Sequence, residues 1–346
     1  MPKAERRLNP LKLAFRIAAL APLVLVPFFA RAESIKIGTL KIAAYGPLFV
    51  AVDKGYFAAE GLTPELVYFE SAQPVAVGIA GGSIDFGVTG TSGGLFSLCG
   101  QGALRIIAGG PHETPGFEFF VAAASNRAYA AGLKSYKDLA GHSFVTTQIG
   151  SPTHYSLALL EEKYHLDPAT IRVLPLQSLP NQMSAMAGGQ ADATIVNATA
   201  ALAAVQRGDI KLLGAIGDVT PWQVGVVYTS TKIANDQRDI VERFLRAYRN
   251  GARDYHDAIT GPDGKRADGP TIAVILAILA KYTGQTPEQI KLALAYSDAE
   301  ARLDVKDLLH QVGWFTAQNL VKGPIDESNI VDSRYAAPLP NEGTRP

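Results

Sequence analysis

From residue 33 to residue 230 the chain alternates short, β-rich apolar runs with stretches whose apolar residues recur every three or four positions. That alternation reads as strand–helix units and predicts mainly parallel sheets with helices packed on their faces. Strands are expected at 35–41, 65–68, 86–89, 105–108 and 118–123, then at 143–148, 171–175, 193–196, 211–215 and 223–230. Helices are expected at 48–59, 74–80, 136–139, from 150 to about 164, and at 180–187 and 199–206. Pro47 suits a first helical turn, where the N–H it lacks would have no partner, and Gly61 suits a left-handed C-terminal cap. Residues 90–94 read as a glycine-rich connection and 109–117 as a loop. Beyond residue 236 the pattern turns helical, at 236–259, 270–282, 287–296 and 305–318, and a polar, proline-rich tail starts at Ile325.

The pattern occurs twice. Ala80-Gly81-Gly82-Ser83-Ile84-Asp85-Phe86-Gly87-Val88 returns as Ala187-Gly188-Gly189-Gln190-Ala191-Asp192-Ala193-Thr194-Ile195. A Leu-x-Pro step precedes each copy, at Leu62-Thr63-Pro64 and Leu166-Asp167-Pro168. The period is too long and the copies too few for a solenoid. They predict two similar α/β lobes, residues 33–121 with 223–346 and residues 122–222, and a small-ligand cleft between them.

The first 32 residues stand apart. Lys3, Arg6, Arg7, Lys12 and Arg16 flank an apolar run at 17–29, and Ala30-Arg31-Ala32 completes the pattern of a secretory signal peptide cleaved after Ala32. The run is shorter than the roughly 20 residues that span a bilayer. Of 32 basic and 32 acidic side chains, six basic ones and Glu5 lie in this segment, which leaves 26 against 31, a net charge of −5. A nucleic-acid partner would favour a basic surface. Cys99 is the only cysteine, so neither an intrachain disulfide nor a lipid anchor at the cleavage site is expected. The expected product is a free monomer in the periplasm.

Three arrangements could bind a ligand. Small-residue turns join strand to helix at 43–47 and 150–153, where unpaired N–H groups and the positive helix end favour an anion. Ser151 and Thr153 add hydroxyls there, although ordinary helix capping would also place them. The loops that follow the repeated motif carry Thr91 and Ser92 in one half and Asn197 and Thr199 in the other, at strand C-terminal ends where open α/β sheets bind ligands. Lys41 and Gln148 end equivalent strands. Tyr45, Phe117 and Trp222 are candidates to stack on an aromatic ligand, and His112 and His154 to hydrogen-bond it.

Catalytic signals are weak. The six histidines show no metal-ligand spacing, and neither a Gly-x-Ser-x-Gly elbow nor a phosphate loop is present. No metal, cofactor or catalytic residue is expected.

Several segments resemble periplasmic substrate-binding proteins of the nitrate/taurine/alkanesulfonate type, including the thiamine-precursor branch. They are Gly46-Pro47-Leu48-Phe49-Val50-Ala51, Lys54-Gly55-Tyr56-Phe57, Glu60-Gly61-Leu62, Gly81-Gly82-x-x-Asp85, Gly150-Ser151-Pro152-Thr153-His154-Tyr155 and Gly189-Gln190-Ala191-Asp192-Ala193. The resemblance implies a two-lobed type 2 periplasmic-binding-protein fold with a helical C-terminal segment. It further implies a receptor that passes a solute to an inner-membrane ABC permease, with ligand contacts at 41–47, 89–92, 148–154 and 197–199. Sulfonate binders of this type often place an arginine in the cleft, and these four loops hold none. The expected ligand is a small organic anion, a sulfonate, taurine-like or aromatic carboxylate. A pyrimidine ligand and a small-metabolite enzyme on the same fold are the alternatives; the cysteine-rich motif of the thiamine-precursor synthases is absent.

Overall fold

In the computed structural model, which describes residues 1, 2, 32–322 and 325–340, thirteen strands form three sheets. The expected signal peptide lies almost wholly outside the described residues. The strands are β1 (Glu33–Thr39), β2 (Leu62–Tyr68), β3 (Phe86–Gly90), β4 (Leu104–Gly109), β5 (Pro111–Glu113), β6 (Phe120–Ser125), β7 (Ser143–Thr146), β8 (Arg172–Pro175), β9 (Ala193–Asn197), β10 (Ile210–Ala215), β11 (Trp222–Gln223), β12 (Gly225–Ser230) and β13 (Tyr296–Ser297).

Two five-stranded sheets share one plan. The first runs β2-β1-β3-β12-β4 and the second β8-β7-β9-β6-β10. In each, three parallel strands are followed by one antiparallel strand that arrives from elsewhere in the chain, β12 in the first and β6 in the second. The central strands β3, β6 and β9 are buried along their whole length, as helices on both faces require. The edge strand β8 is only partly covered.

The repeated motif has an architectural role. Gly81 and Gly188 end helices Ala72–Ala80 and Leu179–Ala187, and Gly82 and Gly189 take the left-handed conformation at φ 75° and 66°. Asp85 then accepts from the Lys36 N–H at 2.7 Å, and Asp192 from the Ser143 N–H at 2.9 Å. Each aspartate fastens the parallel strand beside its own, β1 at Lys36 and β7 at Ser143, 49 residues upstream in both halves. That clamp delivers the loops after β3 and β9 to corresponding places.

Some elements differ from the sequence pattern. Leu62-Thr63-Pro64 lies inside β2, tolerated because β2 is an edge strand, whereas Leu166-Asp167-Pro168 leads into a 3-10 turn before β8. The expected helix at 48–59 is two, Gly46–Asp53 and Tyr56–Ala59, broken at Gly55 with φ 74°. The glycine-rich run opens a helix, Gly93–Gly100, capped by Ser92. The helix expected at 287–296 stops at Lys291, and the chain continues into β13. β13 joins β5 and β11 in a small third sheet that replaces the expected loop at 109–117.

Helix Arg238–Ile259 buries Val241, Phe244, Leu245, Tyr248, Ala252, Tyr255 and Ile259 at three- and four-residue spacing. It crosses helix Gly46–Asp53 so closely that a Cβ on Gly251 would sit 2.2 Å from the Pro47 carbonyl oxygen. The described residues from Ala32 onward form one compact unit. Among the described residues no helix is long and apolar enough to cross a membrane.

Candidate functional site

Five helices begin at one cleft between the two sheets. Its lining includes Ser71, Ala72 and Gln73 at the start of helix Ala72–Ala80, and Ser92 before helix Gly93–Gly100. From the second half come Ser151, Pro152 and Thr153 at the start of helix Pro152–Tyr164, Leu179 at the start of Leu179–Ala187, and Asn197 before Ala198–Gln206. The cleft encloses about 650 Å³, open solvent at its mouth included. Its apolar wall is built from Leu40, Ile42, Leu179 and the stacked pair Phe119–Phe120, whose ring centroids are 4.2 Å apart. Glu70, exposed, is the one charged side chain in this lining; no lysine, arginine or histidine contributes.

The halves touch at the cleft floor. The Gly93 N–H donates to the Gly150 carbonyl at 3.0 Å, and a Cβ on Gly90 would come within 2.6 Å of Pro152 Cγ. Gly150 has φ 75°, which favours glycine there on backbone grounds as well.

Capping fixes the hydrogen-bond polarity of the lining. Ser92 Oγ accepts from the Leu95 N–H at 3.1 Å, and Asn197 Oδ1 from the Ala200 N–H at 3.0 Å. Tyr45 Oη accepts from the Gly90 N–H at 2.9 Å. Each hydroxyl has one lone pair committed to a backbone N–H and Asn197 Oδ1 accepts twice, so the Ser92 hydroxyl proton, the Tyr45 phenol proton and the Asn197 NH₂ stay available to donate. Burial pushes the Tyr45 phenol up, which keeps that proton in place. Ser151 accepts from the His154 N–H at 3.3 Å and closes a hydroxyl triangle with Thr146 and Thr153, with edges of 2.7 to 3.1 Å. Gln182 is the exception, since its NH₂ donates to the Val145 carbonyl at 3.2 Å and its oxygen is left as an acceptor.

Of the residues singled out in the sequence, Tyr45, Ser92, Gln148, Ser151, Thr153 and Asn197 line this cleft. The others lie elsewhere. Lys41 is exposed, with Nζ 5.0 Å above the Tyr68 ring. Thr91 is fully buried and donates to Gln311 Oε1 at 2.6 Å. His112 sits on β5, its ring edge-on to Tyr296. His154 accepts from the Gly150 N–H through Nδ1 at 3.0 Å and packs edge-on to Trp314; burial lowers its pKa to about 4, so the ring is uncharged at neutral pH. Thr199 hydrogen-bonds Asn197 behind the lining, and Trp222 is buried edge-on to Tyr155. Phe117, the third aromatic candidate, is core, edge-on to Tyr296. Lining residues the pattern did not mark include Ser71, Phe119, Phe120 and Gln182. For Ser71 a signal existed, a serine directly ahead of a helical run.

The crossings between the sheets are held by buried polar groups. Glu113 accepts from the Phe120 N–H at 2.7 Å, and burial raises its carboxyl well above the usual range. Asp307 accepts from the Gln223 N–H at 2.9 Å and from Gln311 Nε2 at 2.7 Å, and burial pushes its pKa to about 6.

Residues 43–263 match a family model described as NMT1/THI5 like. The chain belongs to the NMT1/THI5-like family. Solved structures share the fold of this member. The alkanesulfonate-binding protein SsuA from Xanthomonas axonopodis pv. citri, bound to MOPS, is 20% identical with a TM-score of 0.67, covering 90% of this chain and 100% of that one. The periplasmic nitrate-binding protein NrtA from Synechocystis PCC 6803 is 14% identical with a TM-score of 0.62, covering 84% and 81%. The desulfurization enzyme DSZB is 15% identical with a TM-score of 0.59, covering 88% and 96%. No curated protein matches the sequence. At these identities the likeness establishes the fold, and this family member has the two-lobed α/β fold of periplasmic solute-binding proteins from ABC importers.

Proposed function

We propose that the chain captures a small organic anion, a sulfonate, taurine-like or aromatic carboxylate, in the cleft and delivers it unchanged to an inner-membrane ABC permease. The observation that carries this reading is the polarity of the lining: Tyr45, Ser92 and Asn197 accept from backbone N–H groups and so face the cleft as donors. Five helix N-termini add partial positive charge of the kind that holds oxyanions without a cationic side chain. Leu40, Ile42, Phe119, Phe120 and Leu179 favour a solute with an apolar body over a bare inorganic anion. The oxygen of Gln182 and the carboxylate of Glu70 suit a second, donor-bearing end, as in a taurine-like zwitterion.

In this reading the protein acts as a periplasmic monomer from which residues 1–32 have been removed. Residues 33–121 with 223–346, and residues 122–222, move as two lobes about the crossings near Phe120 and Gln223. A thermal-shift screen with alkanesulfonates, taurine, nitrate, aromatic acids, pyrimidines and flavins tests it, since binding to the folded state raises Tm by mass action. The expected result is stabilisation by organic sulfonates or carboxylates; a pyrimidine or flavin as sole ligand refutes the anion reading. The desulfurization enzyme among the structural neighbours favours one rival, catalysis on the same fold. Turnover of a bound solute, followed by mass spectrometry, would establish that rival instead.

A further inference from the structure

We infer that Gln285 is a positioning residue for the cleft: through Thr199 it holds the amide of Asn197 with its NH₂ toward the solute, and it joins the C-terminal helical segment to the second lobe at that point. The inference rests on the reading of the cleft as a site for acceptor-bearing solutes. The chain of reasoning starts at the Ala200 N–H, a donor at a helix start that needs an acceptor. Asn197 Oδ1 supplies it at 3.0 Å, which fixes which way the amide faces. Thr199 Oγ1 lies 2.8 Å from the same oxygen, and an oxygen that only accepts forces the Thr199 proton to point at it. Thr199 then has only lone pairs left, and Gln285 Nε2 donates to them at 2.9 Å. Gln285 Oε1 is left buried with no hydrogen-bond partner among the described residues.

The relay therefore runs one way, from Gln285 to Thr199 to Asn197 to the cleft. It also crosses the molecule. Gln285 follows helix Ile272–Thr283, which packs on helix Gly46–Asp53 of the first lobe with the Phe49 and Tyr282 rings stacked at 5.1 Å. Thr199 and Asn197 belong to the second sheet and the helix it feeds. Parting the lobes breaks the Gln285–Thr199 bond and frees the Thr199 proton to leave Asn197. Donor presentation to the solute and closure are thereby coupled.

Calorimetry with hexane-1-sulfonate tests the relay. Gln285→Glu replaces the donor by an acceptor that turns the Thr199 proton away, and Thr199→Val removes the hydroxyl. Each is expected to weaken binding about tenfold, and the double variant by no more than the worse single one, because both break the same relay. Thr199→Ser should recover most of what Thr199→Val loses, with all variants melting within a few degrees of wild type. Wild-type affinity in Gln285→Glu, or losses that simply add, would overturn the inference. Should wild type not bind hexane-1-sulfonate, the acceptor reading of the cleft is wrong, and the crossing bond is then judged without ligand. Spin labels on the exposed positions Glu65→Cys and Arg172→Cys, one per sheet, report the separation of the halves. Longer distances in Gln285→Ala support the bond's role, and an unchanged distribution overturns it.

Discussion

Asn197→Asp separates stability from binding. The substitution keeps an oxygen where Asn197 Oδ1 accepts from the Ala200 N–H and the Thr199 hydroxyl. Aspartate caps a helix as well as asparagine, and its charge at the N-terminus contributes about 0.3–1 kcal/mol. The melting temperature should stay level or rise. On the cleft side, an NH₂ becomes a carboxylate oxygen. Losing a hydrogen bond to a charged partner costs about 1.5–3 kcal/mol. Two like charges about 4 Å apart, at an effective dielectric near 20, add about 4 kcal/mol of repulsion. Together these weaken an anion by about four to five powers of ten at 1.4 kcal/mol per decade. Isothermal titration with the best ligand from the screen, beside thermal melts, reads both effects. Retention of affinity within tenfold would refute the reasoning, because Asn197 would then not donate to an anion.

Four other outcomes are expected. Ser92→Ala removes a cap and a donor together, and should destabilise by about 1 kcal/mol and weaken anion binding at least tenfold, by melts and calorimetry. Gly90→Ala drives a Cβ to 2.6 Å from Pro152 Cγ and wedges the cleft floor; weaker binding and a larger radius of gyration by small-angle scattering are predicted. Gly251→Ala meets the Pro47 carbonyl oxygen at 2.2 Å and should cost about 1–3 kcal/mol by denaturant titration, far from the cleft. His154 is held at about 4 when folded, against about 6.5 unfolded, so the unfolded chain binds the extra proton between those values. Stability contributed by neutral His154 is complete above pH 6.5 and is lost as pH falls toward 4, by up to about 3 kcal/mol, and His154→Gln should flatten that part of the pH profile.

The alternation of strand and helix and its recurrence were readable because both leave periodic traces in the sequence. So were Ser151 and Asn197, small polar residues at the head of helical runs, whereas Ser92 was marked only by its place after the repeated motif, because the helix it caps read as a glycine-rich connection. What the repeat was for was not readable: Asp85 and Asp192 act on residues 49 positions away, a pairing that recurrence alone does not specify. Lys41 shows a different difficulty, since its place at a strand end was plain but the direction of its side chain, over Tyr68, depends on the neighbouring strand. Phe119 and Phe120 read as strand interior, and only the arrangement of the two sheets turns them to the cleft. β5, β11 and β13 have two or three residues each, too few for a period. Gln285 meets Thr199 across 86 residues, beyond any local pattern.

The central claim is that this cleft favours an acceptor-bearing head group because Tyr45, Ser92 and Asn197 accept from the backbone and keep their own protons for the solute. Calorimetry with hexane-1-sulfonate, heptanamide and hexylamine holds the hexyl body constant and varies the head group alone. The account predicts that the sulfonate binds much more tightly than the amide and that the amine, with only Gln182 and Glu70 to accept from it, is the weakest of the three. An amine or amide that equals the sulfonate would contradict it.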